Sequence, residues 1–279
     1  MTISGATRVA GVIGDPVRHS LSPVLHNAAY RELRLDWVYV AFEVPDGATR
    51  AALDAVRALG LAGLSVTMPH KSAAAVCCDE LSADAAALRS VNTVSPGDKG
   101  RLVGDSTDGE GFLRSLRDAG HDPAGASVVV LGAGGAARAV ARALGRAGAG
   151  VVVCARQPDA AAAAAELAGG TTVPWAERSR AAGAATFVVN ATPVGMGTED
   201  LPLPVDALHP GQVLADLVYH PLETALLHGA RDRGAVVVDG LGMLVHQAAL
   251  QIELWTGCVP SIAAMRAAAE HALRPAPSA

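Results

Sequence analysis

Lys71 closes the run LSVTMPHK, just past a strongly apolar segment. A lysine at a strand end beside a substrate cleft can donate and accept a proton. Asp108, in STDGEGF, is a carboxylate able to orient such a lysine through a charge-assisted hydrogen bond. Ser20 and Ser22, in GDPVRHSLSP, lie between a strand with its turn and a helix expected from Pro23. Hydroxyls and free N–H groups at a helix start suit a carboxylate ligand. Asn92, in RSVNT, adds an amide at a turn. Singly, each has a plainer use: Ser22 as a helix N-cap, Lys71 as a surface charge.

A second constellation is a glycine pattern in SVVVLGAGGAARAVARALGRAGAGVVVCAR. The apolar residues up to Leu131 end a strand, and Gly132-Ala133-Gly134-Gly135-Ala136-Ala137 then fits G-x-G-x-x-A before a helix. Gly132 allows the tight turn, Gly134 lets the backbone approach a pyrophosphate, and Ala137 permits close packing of helix on strand. Unpaired N–H groups at the helix start then bind phosphate. A ligand-free glycine turn would share the pattern. What marks it as a dinucleotide site is the following strand at the spacing of a βαβ unit. That strand ends Cys154-Ala155-Arg156, without the acid that usually holds the ribose hydroxyls of NAD. Arg156, if more than a solvated surface charge, can pair with a 2′-phosphate, which favours NADP.

These residues need a frame. Apolar runs recur at Val9 to Ile13, Trp37 to Phe42, Leu64 to Thr67, Ser127 to Leu131, Gly150 to Cys154, Thr186 to Val189, Gln212 to Leu217 and Ala235 to Val238. Ala- and Leu-rich helical segments separate them, which predicts an α/β chain with parallel sheets wound by crossovers. A closed barrel has similar alternation, but the glycine pattern argues against it. Turn-rich segments at Ser95 to Asp108 and Asp239 to Met243 read as domain junctions. They divide the chain into residues 1–107 with 240–279, and residues 108–239. Helices up to Thr256 and from Ser261 to Leu273 are expected to return to the first domain. The Pro-rich end after Leu273 is expected to fray.

Composition sets limits on function. A length of 279 residues suits two modest domains. A net charge of −5 with no basic block disfavours nucleic acid and anionic lipid. Aromatic residues are only 3%, so Val, Leu and Ala must build the core, with Ala letting elements approach closely. The longest run of apolar and small residues, Ala126 to Ala137, is too short and glycine-rich to span a membrane. No secretory signal is read at the N-terminus. Four cysteines without a CxxC pair suggest reduced thiols in a cytoplasmic protein. The nine histidines show no metal-ligand spacing, so no metal is expected.

The ordered set GDPVRHSLSP, VTMPHK, VNT, STDGEGF, GAGGAARA, NATPVGM, DLVYHP and GLGMLVHQA resembles the shikimate and quinate dehydrogenase family from Gly14 to about Gly257. The resemblance implies an N-terminal α/β substrate domain, a Rossmann-type NADP-binding domain, and an active site in the cleft between them. It implies reversible, NADPH-dependent reduction of 3-dehydroshikimate to shikimate, a step of chorismate and aromatic amino acid biosynthesis. By position, Ser20 and Ser22 would bind the ring carboxylate, helped by Tyr219. Thr67, Asn92, Asp108 and Gln247 would contact substrate, and Lys71 would exchange the hydroxyl proton with Asp108 as partner. Gly132, Ala133, Gly134, Gly135 and Ala136 would hold the pyrophosphate, and Arg156, flanked by Ala155 and Gln157, the 2′-phosphate. Asn190 to Met196, including Thr192, would line the ribose–nicotinamide side with Leu217, Gly240 and Met243. The implied partners are a small-molecule substrate and, as a homodimer, a second copy of the chain.

The chain departs from the family pattern at several positions. Ser65 and Ser106 stand where Asn is usual, Gln157 where Thr is usual, and Ala160 where a further basic residue is common. Two alternatives stand beside this reading: a paralogue acting on quinate or an aminoshikimate-type substrate with NADP or NAD, and a dinucleotide-binding sensor without turnover. An acid at the second strand's end would have supported NAD, and loss of Lys71 or Asp108 would have supported the sensor.

Overall fold

The computed structural model describes residues 2–274. Of the Pro-rich end expected to fray, all but Arg274 lies outside the described residues. The chain divides into two compact units, Met1–Thr107 with Gln247–Ala279, and Asp108–His246.

The first unit runs β1 (Arg8–Gly14), α1 (Ser22–Glu32), β2 (Trp37–Glu43), α2 (Thr49–Leu59), β3 (Gly63–Val66), α3 (Lys71–Cys77), β4 (Glu80–Leu81), α4 (Ala83–Leu88), β5 (Thr93–Pro96) and β6 (Leu102–Asp105). Its sheet has the order β2-β1-β3-β5-β6-β4. β1 pairs parallel with β2 and β3, whereas β5 is antiparallel to both β3 and β6. The sheet is therefore mixed rather than parallel. Buried Ile13, Leu64, Val66 and Val94 pack with Leu53 and Val56 of α2.

The second unit runs α5 (Asp108–Asp118), β7 (Ser127–Leu131), α6 (Gly135–Arg146), β8 (Gly150–Ala155), α7 (Pro158–Ala168), β9 (Thr171–Pro174), α8 (Arg178–Gly183), β10 (Phe187–Asn190), β11 (Val213–Asp216), α9 (Ala225–Asp232) and β12 (Val236–Val238). Its sheet order is β12-β11-β10-β7-β8-β9, with every pairing parallel. The chain winds outward from β7 to β9, then restarts at β10 on the other side of β7. This is the Rossmann order, with its switch point between β7 and β10. α6 buries Ala137, Val140, Ala141 and Leu144 at helical spacing. A Cβ on its Gly145 would collide with the Ala168 carbonyl, so the chain approaches closely where small residues allow it. One helix, α10 (Gly240–Thr256), returns the chain to the first unit, where α11 (Ile262–Leu273) packs on α1.

Both expected junctions are narrower in the structure. Most of Ser95 to Asp108 is a hairpin, with Thr93 opposite Asp105 and Pro96 opposite Leu102. Gly97, Asp98 and Gly100 supply only its turn. Asp239 to Met243 is mostly the first turn of α10, where the Asp239 carboxylate accepts from the Gly242 N–H at 3.2 Å. Residues 240–246, grouped by sequence with the first domain, cluster with the second unit. The packing explains this: Gly240 lies against the Leu217 carbonyl and Gly242 against Ser115. Among the described residues no helix is long and apolar enough to cross a membrane.

Candidate functional site

In the first unit, strand direction gathers the candidate residues along one sheet edge. β1 and β3 leave the sheet there, at Gly14 and Val66. Antiparallel β5 enters at the same edge, just after Asn92, and β6 leaves there at Asp105. Backbone bonds tie the exits together. Thr67 N–H donates to the Ile13 carbonyl (3.0 Å), Val91 N–H to the Lys71 carbonyl (3.0 Å) and Asn92 N–H to the Asp105 carbonyl (3.0 Å). Residues distant in sequence thus become neighbours because they follow or precede strands at one end.

Two local expectations change. Ser22 is not the N-cap of α1: Leu21 holds that position, no side chain caps the helix, and Ser22 is its first residue. The Ser22 N–H instead donates to the Ser20 hydroxyl at 3.2 Å, which ties the two serines together. Lys71 is not at a strand end but opens α3, four residues past Thr67, with His70 at the cap position. A cation in a first turn opposes the helix dipole, so helix stability does not select it there.

Asn92 is buried and braced from several sides. Its Oδ1 accepts from the Thr107 N–H (2.9 Å) and the Thr93 hydroxyl (2.8 Å), while Nδ2 donates to the Thr107 hydroxyl (3.0 Å). It therefore fixes the residue that precedes Asp108, itself a buried carboxylate at the start of α5. A second chain runs beneath it. Tyr39 Oη donates to Ser65 Oγ (2.6 Å), Ser65 Oγ to Gln251 Oε1 (2.7 Å), and Gln251 Nε2 to the Thr93 hydroxyl (3.0 Å). Ser65, where the family pattern has Asn, is a buried member of this chain. Gln247 is also buried, one helical turn before Gln251 on α10. Tyr39 and Gln251 were not singled out from sequence. The available signal was the Gln247/Gln251 pair, since polar residues four apart share one face of an otherwise apolar helix.

In the second unit the glycine turn lies at the switch point. Gly132 N–H donates to the Cys154 carbonyl at 2.8 Å, continuing the β7–β8 pairing by one residue. Gly132 has φ +110, and a Cβ there would lie 2.9 Å from the Ala191 carbonyl oxygen, so this turn requires glycine. Added Cβ atoms at Gly134 and Gly135 would meet nothing within 4 Å. Gly134 caps α6, so open space lies over a helix N-terminus, as a pyrophosphate needs.

A cavity of about 370 Å³ opens here. Gly132, Ala133, Gly134, Ala155, Arg156, Gln157 and Thr192 line it, joined by Ala160, Trp175, Ala191 and Pro193. It thus draws on the turns after both β7 and β10. Gly135 and Ala136 continue into α6, while Leu217, Gly240 and Met243 lie outside this lining; Met243 packs in the core. Asn190 is wholly buried and braces the turn from below. Its Oδ1 accepts from the Thr192 N–H (3.1 Å) and hydroxyl (2.7 Å), and its Nδ2 donates to Asp216 (2.9 Å). Burial raises the Asp216 carboxyl above its ordinary range, although bonds from Thr224, Val218 and Asn190 oppose the shift. Tyr219 follows shortly after β11, and burial raises its phenol too. The donor set fits a phosphorylated dinucleotide: helix-start N–H groups, a tight glycine turn and an exposed guanidinium at Arg156.

The two glycines should separate folding from binding. Gly132→Ala is expected to lower stability by roughly 1–3 kcal/mol through backbone strain. Gly134→Ala should unfold like the native protein yet bind NADP more weakly. Thermal melts and dinucleotide titration of both variants check this. Among the described residues, no group of three or more His, Cys, Asp or Glu side chains is arranged to hold a metal ion.

Known proteins share this architecture. The family model of the shikimate dehydrogenase substrate binding domain matches residues 12–94, and that of the shikimate 5'-dehydrogenase C-terminal domain matches residues 240–270. A model described as NADP oxidoreductase, coenzyme F420-dependent, matches residues 127–218. A shikimate dehydrogenase (NADP(+)) of Moorella thermoacetica is 47% identical, over 94% of this chain and 92% of that protein. A crystal structure of shikimate dehydrogenase in complex with NADP+ superposes with a TM-score of 0.92 at 34% identity, covering 98% of each chain. Shikimate 5-dehydrogenase of Thermus thermophilus, in complex with NADP(H) and shikimate, has a TM-score of 0.89 at 41% identity, covering 95% of this chain and 100% of that one.

Proposed function

The chain belongs to the shikimate dehydrogenase family, and from that premise we propose how its residues divide the work. The enzyme is an NADP-dependent oxidoreductase acting on a CH–OH group. It reduces 3-dehydroshikimate reversibly to shikimate, within chorismate and aromatic amino acid biosynthesis. NADP supplies the hydride chemistry when bound; the chain must orient the substrate and move one proton.

The Lys71 ammonium gives its proton to the oxygen that becomes the hydroxyl and recovers it in the reverse direction. The Asp108 carboxylate orients that ammonium by a charge-assisted hydrogen bond. Ser20 and Ser22 bind the ring carboxylate with help from Tyr219, and Thr67, Asn92 and Gln247 bind the ring hydroxyls. The bracing of Asn92 against Thr107 favours this assignment most, because it ties a substrate amide to the residue preceding Asp108. A planar acid with several hydroxyls needs many hydroxyl and amide partners, which these residues supply. The four cysteines are free thiols, in keeping with the cytoplasmic location we assign.

Initial rates with shikimate or quinate, each with NADP or NAD, test the proposal. Turnover should be concentrated in the shikimate–NADP pair. A preference for quinate or NAD would mark a paralogue, and dinucleotide binding without turnover would mark a sensor. Arg156→Ala in the same assay should raise the KM for NADP about tenfold or more, the scale of a lost charge-assisted contact to phosphate. Its KM for NAD should barely change. An unaltered NADP to NAD ratio would leave Arg156 a solvated surface charge.

A further inference from the structure

Trp175 is the one aromatic residue in the lining of the dinucleotide cavity. Its place follows from strand register. Ala155 at the end of β8 pairs with Pro174 at the end of β9, so the next residues, Arg156 and Trp175, leave adjacent strands side by side. The indole is only partly buried. The Arg178 guanidinium carbon lies over the ring, 4.7 Å from its centroid. That guanidinium is itself fixed: Nε donates to the Pro202 carbonyl at 2.8 Å and Nη1 to the Trp175 carbonyl at 3.0 Å.

We propose that Trp175, backed by Arg178, is the stacking platform for the purine base of the dinucleotide. The inference rests on the pyrophosphate lying at Gly134 and the 2′-phosphate at Arg156. Those two anchors bracket the adenosine ribose and leave the base to the wall formed by Ala160 and Trp175. Ala160 keeps that wall shallow where the family pattern often carries a longer basic side chain. A flat, electron-rich indole offers dispersion and π contact to any base laid on it. The guanidinium draws electron density toward one face of the indole, which favours stacking of an electron-rich purine on the other. Because two carbonyls hold the guanidinium, the platform is set before the ligand arrives and little side-chain entropy is lost on binding. Arg178 is thus a positioning residue that acts through Trp175.

The experiment uses adenosine 2′,5′-bisphosphate and 5′-AMP as probes of the full chain, read by calorimetry and by tryptophan emission. The other tryptophans, Trp37 and Trp255, are buried in the first unit, so quenching by either probe should come from Trp175. Trp175→Leu should weaken both probes about tenfold, the scale of one lost base–aromatic stack. Trp175→Phe should keep most of the affinity while abolishing the quench. Arg178→Met should weaken both probes a few-fold. Arg156→Ala should weaken the bisphosphate and leave 5′-AMP unchanged, which separates failure of the platform from failure of the phosphate assignment. Equal affinity of native protein and Trp175→Leu for 5′-AMP would overturn the proposal, as would a quench that survives in Trp175→Phe.

Discussion

Replacing Lys71 with alanine should lower turnover by about 10²- to 10⁴-fold, the usual worth of a positioned general acid or base. The KM for shikimate should change much less. The expected split follows from when the proton moves. A ground-state hydroxyl can be bound by Thr67, Asn92 and Gln247 without Lys71. The alkoxide character that develops on this oxygen as hydride reaches the carbonyl carbon, or as the hydroxyl gives up its proton in the reverse direction, is met only by the ammonium. An interaction made chiefly in the transition state appears in kcat, whereas one made equally in both states appears in KM. Lys71→Met is the companion variant, because it keeps an unbranched stem on α3 and removes only the charge and the proton. Asn92→Ala should behave differently. It removes a substrate amide and also the brace on Thr107, so kcat and KM should move together. Steady-state kinetics of the three variants in both reaction directions decide the matter. Near-native kcat in Lys71→Met would remove Lys71 from the proton route.

How much of this was legible in the sequence depended on the range of the interaction involved. Gly132 is required by its own φ and by the nearest carbonyl of β10's exit turn, so a short pattern was enough to place it. The β5–β6 hairpin was not recognised, because its strands are short and its turn is rich in Gly and Asp. What makes it a hairpin is pairing with β3, a long-range event with little local signature. β9 escaped for a similar reason: Thr171 to Pro174 is largely exposed and ends in proline, so it lacks an apolar alternation. Trp175 depended on that strand and was missed with it. Ser22 was read correctly as lying at a helix start. One residue of difference in where the helix begins turns a capping hydroxyl into one at the first helical position. The Tyr39–Ser65–Gln251 chain needed the whole first unit, since it joins β2, β3 and α10.

That same buried layer should make the protein sensitive to acid. The His26 ring is fully buried, stacked on Tyr39 with centroids 3.9 Å apart and on Trp255 at 5.7 Å. Desolvation pulls its pKa down from 6.5 to about 4, against a smaller opposing effect of the hydrogen bond to the Ser22 carbonyl. The folded protein therefore keeps His26 neutral at a pH where the unfolded chain has already bound a proton there. Between about pH 6.5 and about pH 4 the unfolded state carries the extra proton, so stability rises with pH across that window. The contribution is fully present above the upper limit and is lost as pH falls toward the lower one. At 1.36 kcal/mol per unit it amounts to about 3 kcal/mol. Urea unfolding of the native protein and of His26→Phe, near neutrality and near pH 4, isolates it, because the carboxylates titrate alike in both. Phenylalanine keeps the stack on Tyr39 but loses the bond to the Ser22 carbonyl. The variant should therefore be less stable than the native protein near neutrality, and the gap should shrink or close in acid. The consequence reaches the substrate end of the unit. His26 Nδ1 lies 2.9 Å from the carbonyl of Ser22, so forcing a charge into this layer strains the helix start that carries both serines. Shikimate affinity should then fall with acid ahead of global unfolding. A stability difference between the two proteins that stays constant with pH would show that His26 does not titrate across the unfolding transition.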